Sequence, residues 1–215
     1  MPTNSIQSPP PSIIGHLRAQ THYLHERLEM RLSMKSQLIS IDNYRNMLSR
    51  FYGIYAPMES VLGATDLIAA WVDIGIDFNE RRKLALIESD LEALGLSKND
   101  IRGIELCAGD LPPIPKSAAE LAGCAYVLEG STLGGRVIGR HLDTELGLRP
   151  GNPGARFFHG YGDSTGKMWH DFCKCIMSFE SREEARRPGS GAVVAESAVT
   201  RARETFLSFE SWLCG

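Results

Sequence analysis

Apolar positions along the chain recur at three- and four-residue steps, the spacing of one helix face. Pro9, Pro10 and Pro11 interrupt the chain and Ser12 caps a new segment, in which Ile14, Leu17, Thr21, Leu24, Leu28 and Leu32 predict a helix over about 13–34. Asp42 caps a second segment through Tyr44, Leu48, Phe51, Tyr55, Met58 and Leu62, with a bend at Pro57. A third runs from Asp77 to Leu94 and ends at Gly95. Ser97 caps a short turn reaching Cys107, which the proline-rich LPPIP closes. Ser117 and Glu120 form a capping box for a long helix ending near Gly147. The loop RPGNPGARFFHGYGDSTG leads into a helix over about 165–185, RRPGSG breaks it, and a last amphipathic helix carries Ala195, Val199, Phe206, Phe209 and Trp212. No stretch alternates as a strand does. The pattern predicts an all-α chain with a tail over residues 1–11 and one helical domain over 12–215.

Composition narrows the class. A chain of 215 residues that is 43% hydrophobic can bury a full core. A formal net charge of −3 gives no basic field for nucleic acid. The first residues have neither the basic start nor the apolar centre of a signal peptide, and no apolar run approaches the ~20 residues that cross a bilayer. Cysteines 107, 124, 173, 175 and 214 are odd in number and lack a C-x-x-C pair, which predicts free thiols in a reducing, cytoplasmic setting.

The stretch YVLEGSTLGGRVIGRHL, residues 126–142, breaks the pattern of an ordinary helix. Glycine stands at 130, 134, 135 and 139, and each interior glycine costs a helix roughly 1 kcal/mol relative to alanine. At ~100° per residue, Gly123, Val127, Gly130 and Gly134 share one face, nearly free of side chains. Two explanations fit that spacing: a tight crossing with another helix, or a flat ligand lying against the backbone, with Gly134 and Gly135 letting the helix bend around it.

The first helix offers a second wall. His25 borders its apolar stripe, Arg18 lies beside it two turns earlier, and His22 points further toward solvent. Metal motifs are missing: none of the histidines at 16, 22, 25, 141, 159 and 170 has a glutamate three residues before it, as a di-iron bundle needs. Cys124 and Cys173 keep a cysteine hydrolase open as an alternative.

Taken together, THYLHERLE (21–29), YVLEGSTLGGRV (126–137) and FFHGYGDSTGKMWHDF (157–172) resemble heme oxygenases, and the E-G-S-x-L-G wording is similar to the bacterial members that supply chromophore to bacteriophytochromes. The resemblance covers about Leu17 to Trp212. It implies that His25 is the axial ligand to heme iron, and that Gly130, Gly134 and Gly135 bring backbone close to the macrocycle. It further implies that Arg18 and Tyr126 meet the heme propionates, with Arg136, Lys167 and Lys174 as further cations; these anchors favour cleavage at the α position. Where many heme oxygenases carry an aspartate after the first distal glycine, this chain has Ser131, which can hold a water but not a charge. The implied activity is conversion of heme, oxygen and reducing equivalents to biliverdin, carbon monoxide and ferrous iron. A ferredoxin or flavoprotein reductase would supply the electrons, and a bacteriophytochrome would receive the product. The alternatives are a non-catalytic heme or bilin carrier and a thiamin-degrading hydrolase of similar helical architecture.

Overall fold

Leu17, Thr21 and Leu24 bury one face of the first helix, α1 (Ile13–Leu32), while Arg18, His22 and His25 on its flank stay exposed. The computed structural model describes residues 12–32 and 39–215. The predicted tail over 1–11 and the end of the predicted first helix at 33–34 lie outside the described residues.

The second helix, α2 (Ile41–Leu62), is capped by Ser40, whose hydroxyl accepts from the Asn43 backbone N–H; Asp42 instead sits in the first turn. α2 continues through Pro57 to Leu62. The Gly53 carbonyl, which the missing proline N–H leaves unused, accepts from Cys107 N at 2.8 Å. A tertiary partner thus replaces the lost helical bond.

A short helix, α3 (Ile68–Ile74), comes next where the periodicity gave no signal, burying only Trp71 and Ile74. The third predicted helix is divided. Phe78–Arg81 forms a 3-10 turn capped by Asp77, Arg82 is extended, and α4 (Leu84–Ala93) starts afresh. The break is held from outside: Glu59, 3% exposed on α2, accepts from the backbone N–H groups of Lys83 and Leu84 at 2.5 and 3.0 Å. A carboxylate at these unpaired donors also suits the helix dipole. Ser97 and Asp100 form a true capping box for α5 (Lys98–Arg102).

The glycine-bearing helix, α6 (Ala118–Leu146), is unbroken and ends at Gly147 in the left-handed region, φ 66°. Ser117 caps it by accepting from Glu120 N. The expected reciprocal bond goes elsewhere, because the Glu120 carboxylate accepts from Lys116 N and Arg201. α7 (Arg156–His159) and a 3-10 turn at Gly162–Ser164 interrupt the predicted loop. α8 (Thr165–Arg186) and α9 (Ser190–Cys214) complete the all-α fold, with no strand among the described residues.

α6 and α9 meet through small residues. A Cβ at Gly123 would come within 2.0 Å of the Ala198 carbonyl oxygen, so only glycine allows the two backbones to approach this closely. α1 lies along α9, and Arg27 and Arg31 of α1 both pair with Glu210 of α9.

Asp90 fixes the loop that enters the core. Fully buried on α4, its carboxylate accepts from Gly154 N at 2.9 Å, Arg156 N at 3.0 Å and Phe157 N at 2.8 Å. These bonds set Phe157 and Phe158 against Phe51 of α2. Asp90→Ala orphans three donors together, so urea denaturation is expected to show a loss of about 3 kcal/mol.

Candidate functional site

Between α1 and the middle of α6 lies a cleft of about 920 Å³, within the range of roughly 300–1,000 Å³ typical of small-molecule sites. One wall carries Arg18, His22, His25 and Leu28 of α1, and the facing wall carries Gly130, Ser131, Gly134 and Ile138 of α6. Aromatic side chains finish the enclosure: Phe51 and Tyr55 from α2, Phe157 and Phe158 from α7, Trp169 from α8, and Phe206 and Phe209 from α9. The chemistry is that of a large, flat, apolar ligand with a few polar groups at its edge.

The glycines of α6 divide by what lies opposite them. A Cβ at Gly134 would meet nothing within 4 Å, and one at Gly130 would only touch Trp169 at 3.8 Å. Gly135 also lines the cleft, yet its added Cβ would fall 2.4 Å from the Phe158 carbonyl oxygen. Gly123, expected on the same open face as Gly130 and Gly134, is buried on α9 instead. Both explanations for the glycines therefore apply, at different positions: Gly123 and Gly135 serve helix packing, while Gly130 and Gly134 leave the cleft wall bare.

The α1 wall presents two histidines. The His25 ring meets Phe206 edge-on with centroids 6.0 Å apart, and its Nε2 lies 3.7 Å from Glu29, beyond hydrogen-bonding reach. His22 Nε2 is closer to its own glutamate, 3.2 Å from Glu26 Oε1. Arg18 forms no ion pair or hydrogen bond among the described residues, so its guanidinium can meet an anionic group at the cleft edge. Tyr126, half-buried, lines the cleft together with Thr21 of α1, and burial raises its pKa.

Three expected cations lie elsewhere. Arg136 donates to the Gly162 carbonyl at 3.0 Å and faces Asp163, Lys167 pairs with Asp171 at 2.6 Å, and neither of these nor Lys174 is among the cleft residues. Helical rotation turns them outward.

Ser131 stands at the cleft beside Tyr55. Its hydroxyl donates to the Leu128 carbonyl at 2.8 Å and lies 3.5 Å from the Tyr55 hydroxyl. With its hydrogen committed to the backbone, Ser131 offers lone pairs and Tyr55 offers the hydrogen. Burial pushes the Tyr55 pKa well up, which keeps that phenol protonated.

A buried polar cluster behind Gly130 was not legible from the sequence. Glu129, 4% exposed, is bonded by Arg81 Nη1 at 2.5 Å and by the Tyr161 hydroxyl at 2.7 Å, with Lys83 Nζ 3.6 Å away. The sequence showed only a basic run at 81–83 on what read as one continuous helix. A buried charge inside an otherwise apolar helical stripe, as at Glu129, was the available signal.

The thiols do not belong to this site. Cys124 is buried and its thiol is pushed up to about 11 by burial, and burial also raises Cys173. Neither lines the cleft, so neither is an activated nucleophile. The cysteine-hydrolase alternative loses its catalytic group.

The heme oxygenase family model matches residues 12–214. The chain is 28% identical over 173 residues to a heme oxygenase of Xanthomonas campestris, covering 80% of this chain and 93% of that protein. Among solved structures, heme oxygenase from Leptospira interrogans superposes with a TM-score of 0.70 at 19% identity, covering 95% of this chain and 99% of the other. Heme oxygenase-1 of the cyanobacterium Synechocystis, solved in complex with heme, gives 0.65 at 17% identity over 94% and 91% of the two chains. The structural likenesses establish the fold, and the match along nearly the whole sequence establishes the lineage: this chain belongs to the heme oxygenase family.

Proposed function

We propose that the cleft between α1 and α6 is where this heme oxygenase holds its substrate, heme, and converts it with oxygen and external electrons to biliverdin, carbon monoxide and ferrous iron. The observation that supports this reading is the pairing of an imidazole on one wall, His25, with a bare backbone wall at Gly130 and Gly134 on the other. The residues fit a porphyrin: a Cβ at either glycine would project into the slot, and the remaining enclosure is largely aromatic.

When bound, heme supplies both the iron that activates oxygen and the ring that is cut. The chain supplies the rest. His25 offers a ring nitrogen as axial ligand. Phe157, Phe158 and Phe206 would exclude water, and the α6 backbone at Gly130 and Gly134 would lie against the ring. Arg18 would meet a propionate at the mouth, and the Tyr126 hydroxyl, in the same cleft, would be its partner there. Arg136, turned toward Gly162, plays no direct part in binding. Tyr55 and Ser131 hold a hydrogen-bonded pair on the distal side, which replaces in part the aspartate found in many relatives. The Arg18 anchor favours cleavage at the α-meso carbon, which separation of biliverdin isomers after one turnover checks.

No described helix is long and apolar enough to cross a membrane. A ferredoxin or flavoprotein reductase is proposed as electron donor. A bacteriophytochrome is proposed as one recipient of biliverdin.

The test is direct. Reconstituted with hemin and given ascorbate in air, the protein is expected to lose its Soret band and gain a bilin spectrum. A persistent Soret band would make it a carrier.

A further inference from the structure

Heme binding and axial ligation leave Lys83 without a task. This residue lines the cleft with its side chain only 5% exposed. Burying an ammonium in an otherwise aromatic pocket is costly unless it is paired, and here the pairing is extensive. Lys83 Nζ donates to the Arg81 carbonyl at 2.7 Å and to the Tyr161 hydroxyl at 2.6 Å. Tyr161 passes its own hydrogen to Glu129 at 2.7 Å. Every element packed around the ammonium contributes a charged or titratable group: Arg81 and Arg82 from its own turn, Glu59 from α2, Glu129 from α6 and Tyr161 from the segment before α8. Three cations face two carboxylates there, so the positive charge of Lys83 is not cancelled.

Among the described residues the cleft has no carboxylate on this side. Glu29, the carboxylate among the cleft residues, belongs to α1. Near Gly130 the groups able to hold a proton are the Tyr55, Tyr126, Ser131 and Thr132 hydroxyls and Lys83, and of these Lys83 is the cation. Burial pulls the lysine's pKa down, and Glu129 and Glu59 oppose that shift; the ammonium is therefore a better acid than a lysine in water.

We propose that Lys83 is the proton-holding residue of the distal cleft, giving its proton to an oxygen acceptor, a water or an oxygen ligand held beside Ser131, and recovering one from solvent through Tyr161 and Glu129. One N–H bond of Lys83 breaks as one bond forms on the acceptor. A second proton then restores the ammonium, Tyr161 and Glu129 end as they began, and no electrons move in the exchange. The proposal rests on the reading that heme occupies the cleft.

Its test uses the full chain loaded with hemin, read by the absorption change of the ferric complex with pH and by turnover in ascorbate. Lys83→Met removes a positive charge that favours the alkaline, deprotonated form. The spectral midpoint should therefore rise by about one pH unit, a tenfold change in that equilibrium. Lys83→Arg keeps the charge but cannot release a proton. Its midpoint should stay in place while turnover falls by about 100-fold. Tyr161→Phe, which retains Lys83 and interrupts its resupply, should also slow turnover with an unchanged midpoint. Wild-type turnover in Lys83→Arg and Tyr161→Phe overturns the proposal even if Lys83→Met fails to fold. So does an unshifted midpoint in a folded, hemin-loaded Lys83→Met. Failure of the unaltered protein to take up hemin would instead refute the function proposed for the cleft.

Discussion

His25→Ala is expected to lower hemin turnover by more than about 100-fold, because it would remove the nitrogen proposed to ligate the iron. The truncation leaves a space the size of imidazole beside Phe206, so added imidazole should restore part of the activity. Stability should change little, since the His25 side chain is 50% exposed and packs only at its edge. His22 is the internal control: it lines the same cleft, but its ring is drawn to Glu26 and is 67% exposed. His22→Ala should retain nearly full turnover. Equal activity in His25→Ala and the unaltered protein, measured by loss of the Soret band, would remove the axial assignment.

The second large effect comes from contrasting two glycines on one helix. Gly123→Ala forces a methyl to within 2.0 Å of the Ala198 carbonyl oxygen. Since α6 and α9 are both long helices with no flexible atom to yield, the backbones must separate. Thermal and urea unfolding should show a loss of about 3 kcal/mol or more, at the upper end of overpacking costs. Gly134→Ala meets nothing within 4 Å and restores helix propensity, so the protein without heme should gain up to about 1 kcal/mol. Its hemin affinity and turnover should nevertheless fall, because the added methyl enters the slot. Stability and function thus move in opposite directions at Gly134 and together at Gly123. If Gly134→Ala binds hemin as tightly as the unaltered protein, the bare wall is not a ligand surface.

Much of the architecture was readable from local rules. Ser12, Ser97, Ser117 and Gly147 mark helix ends because their roles depend on backbone groups a few residues away. The third predicted helix failed where a distant group intervened: Glu59 supplies the cap that lets α4 begin after Lys83, and nothing near residue 83 announces it. At Pro57 the helix continues, and Cys107, fifty residues on, satisfies the carbonyl that proline leaves free. Gly123 was placed with the open glycines because a helical wheel gives direction around one axis and says nothing of the neighbour met there. Arg136 was likewise a cation at a suitable distance in sequence but on the outward side of α6.

By itself the sequence determined the all-α class, most helix limits, the lineage, and several residues that come to line the cleft. Those properties arise from periodicity, capping and motif wording, all of which act within a few residues or survive as text. Only the tertiary structure decided which glycines face the open cleft and which face protein, that Cys124 is an inert buried thiol, and that Arg81, Lys83, Glu129 and Tyr161 form one polar cluster at the cleft. These depend on groups far apart in the chain being brought to within a hydrogen bond, where desolvation makes an unpaired charge too costly to leave alone.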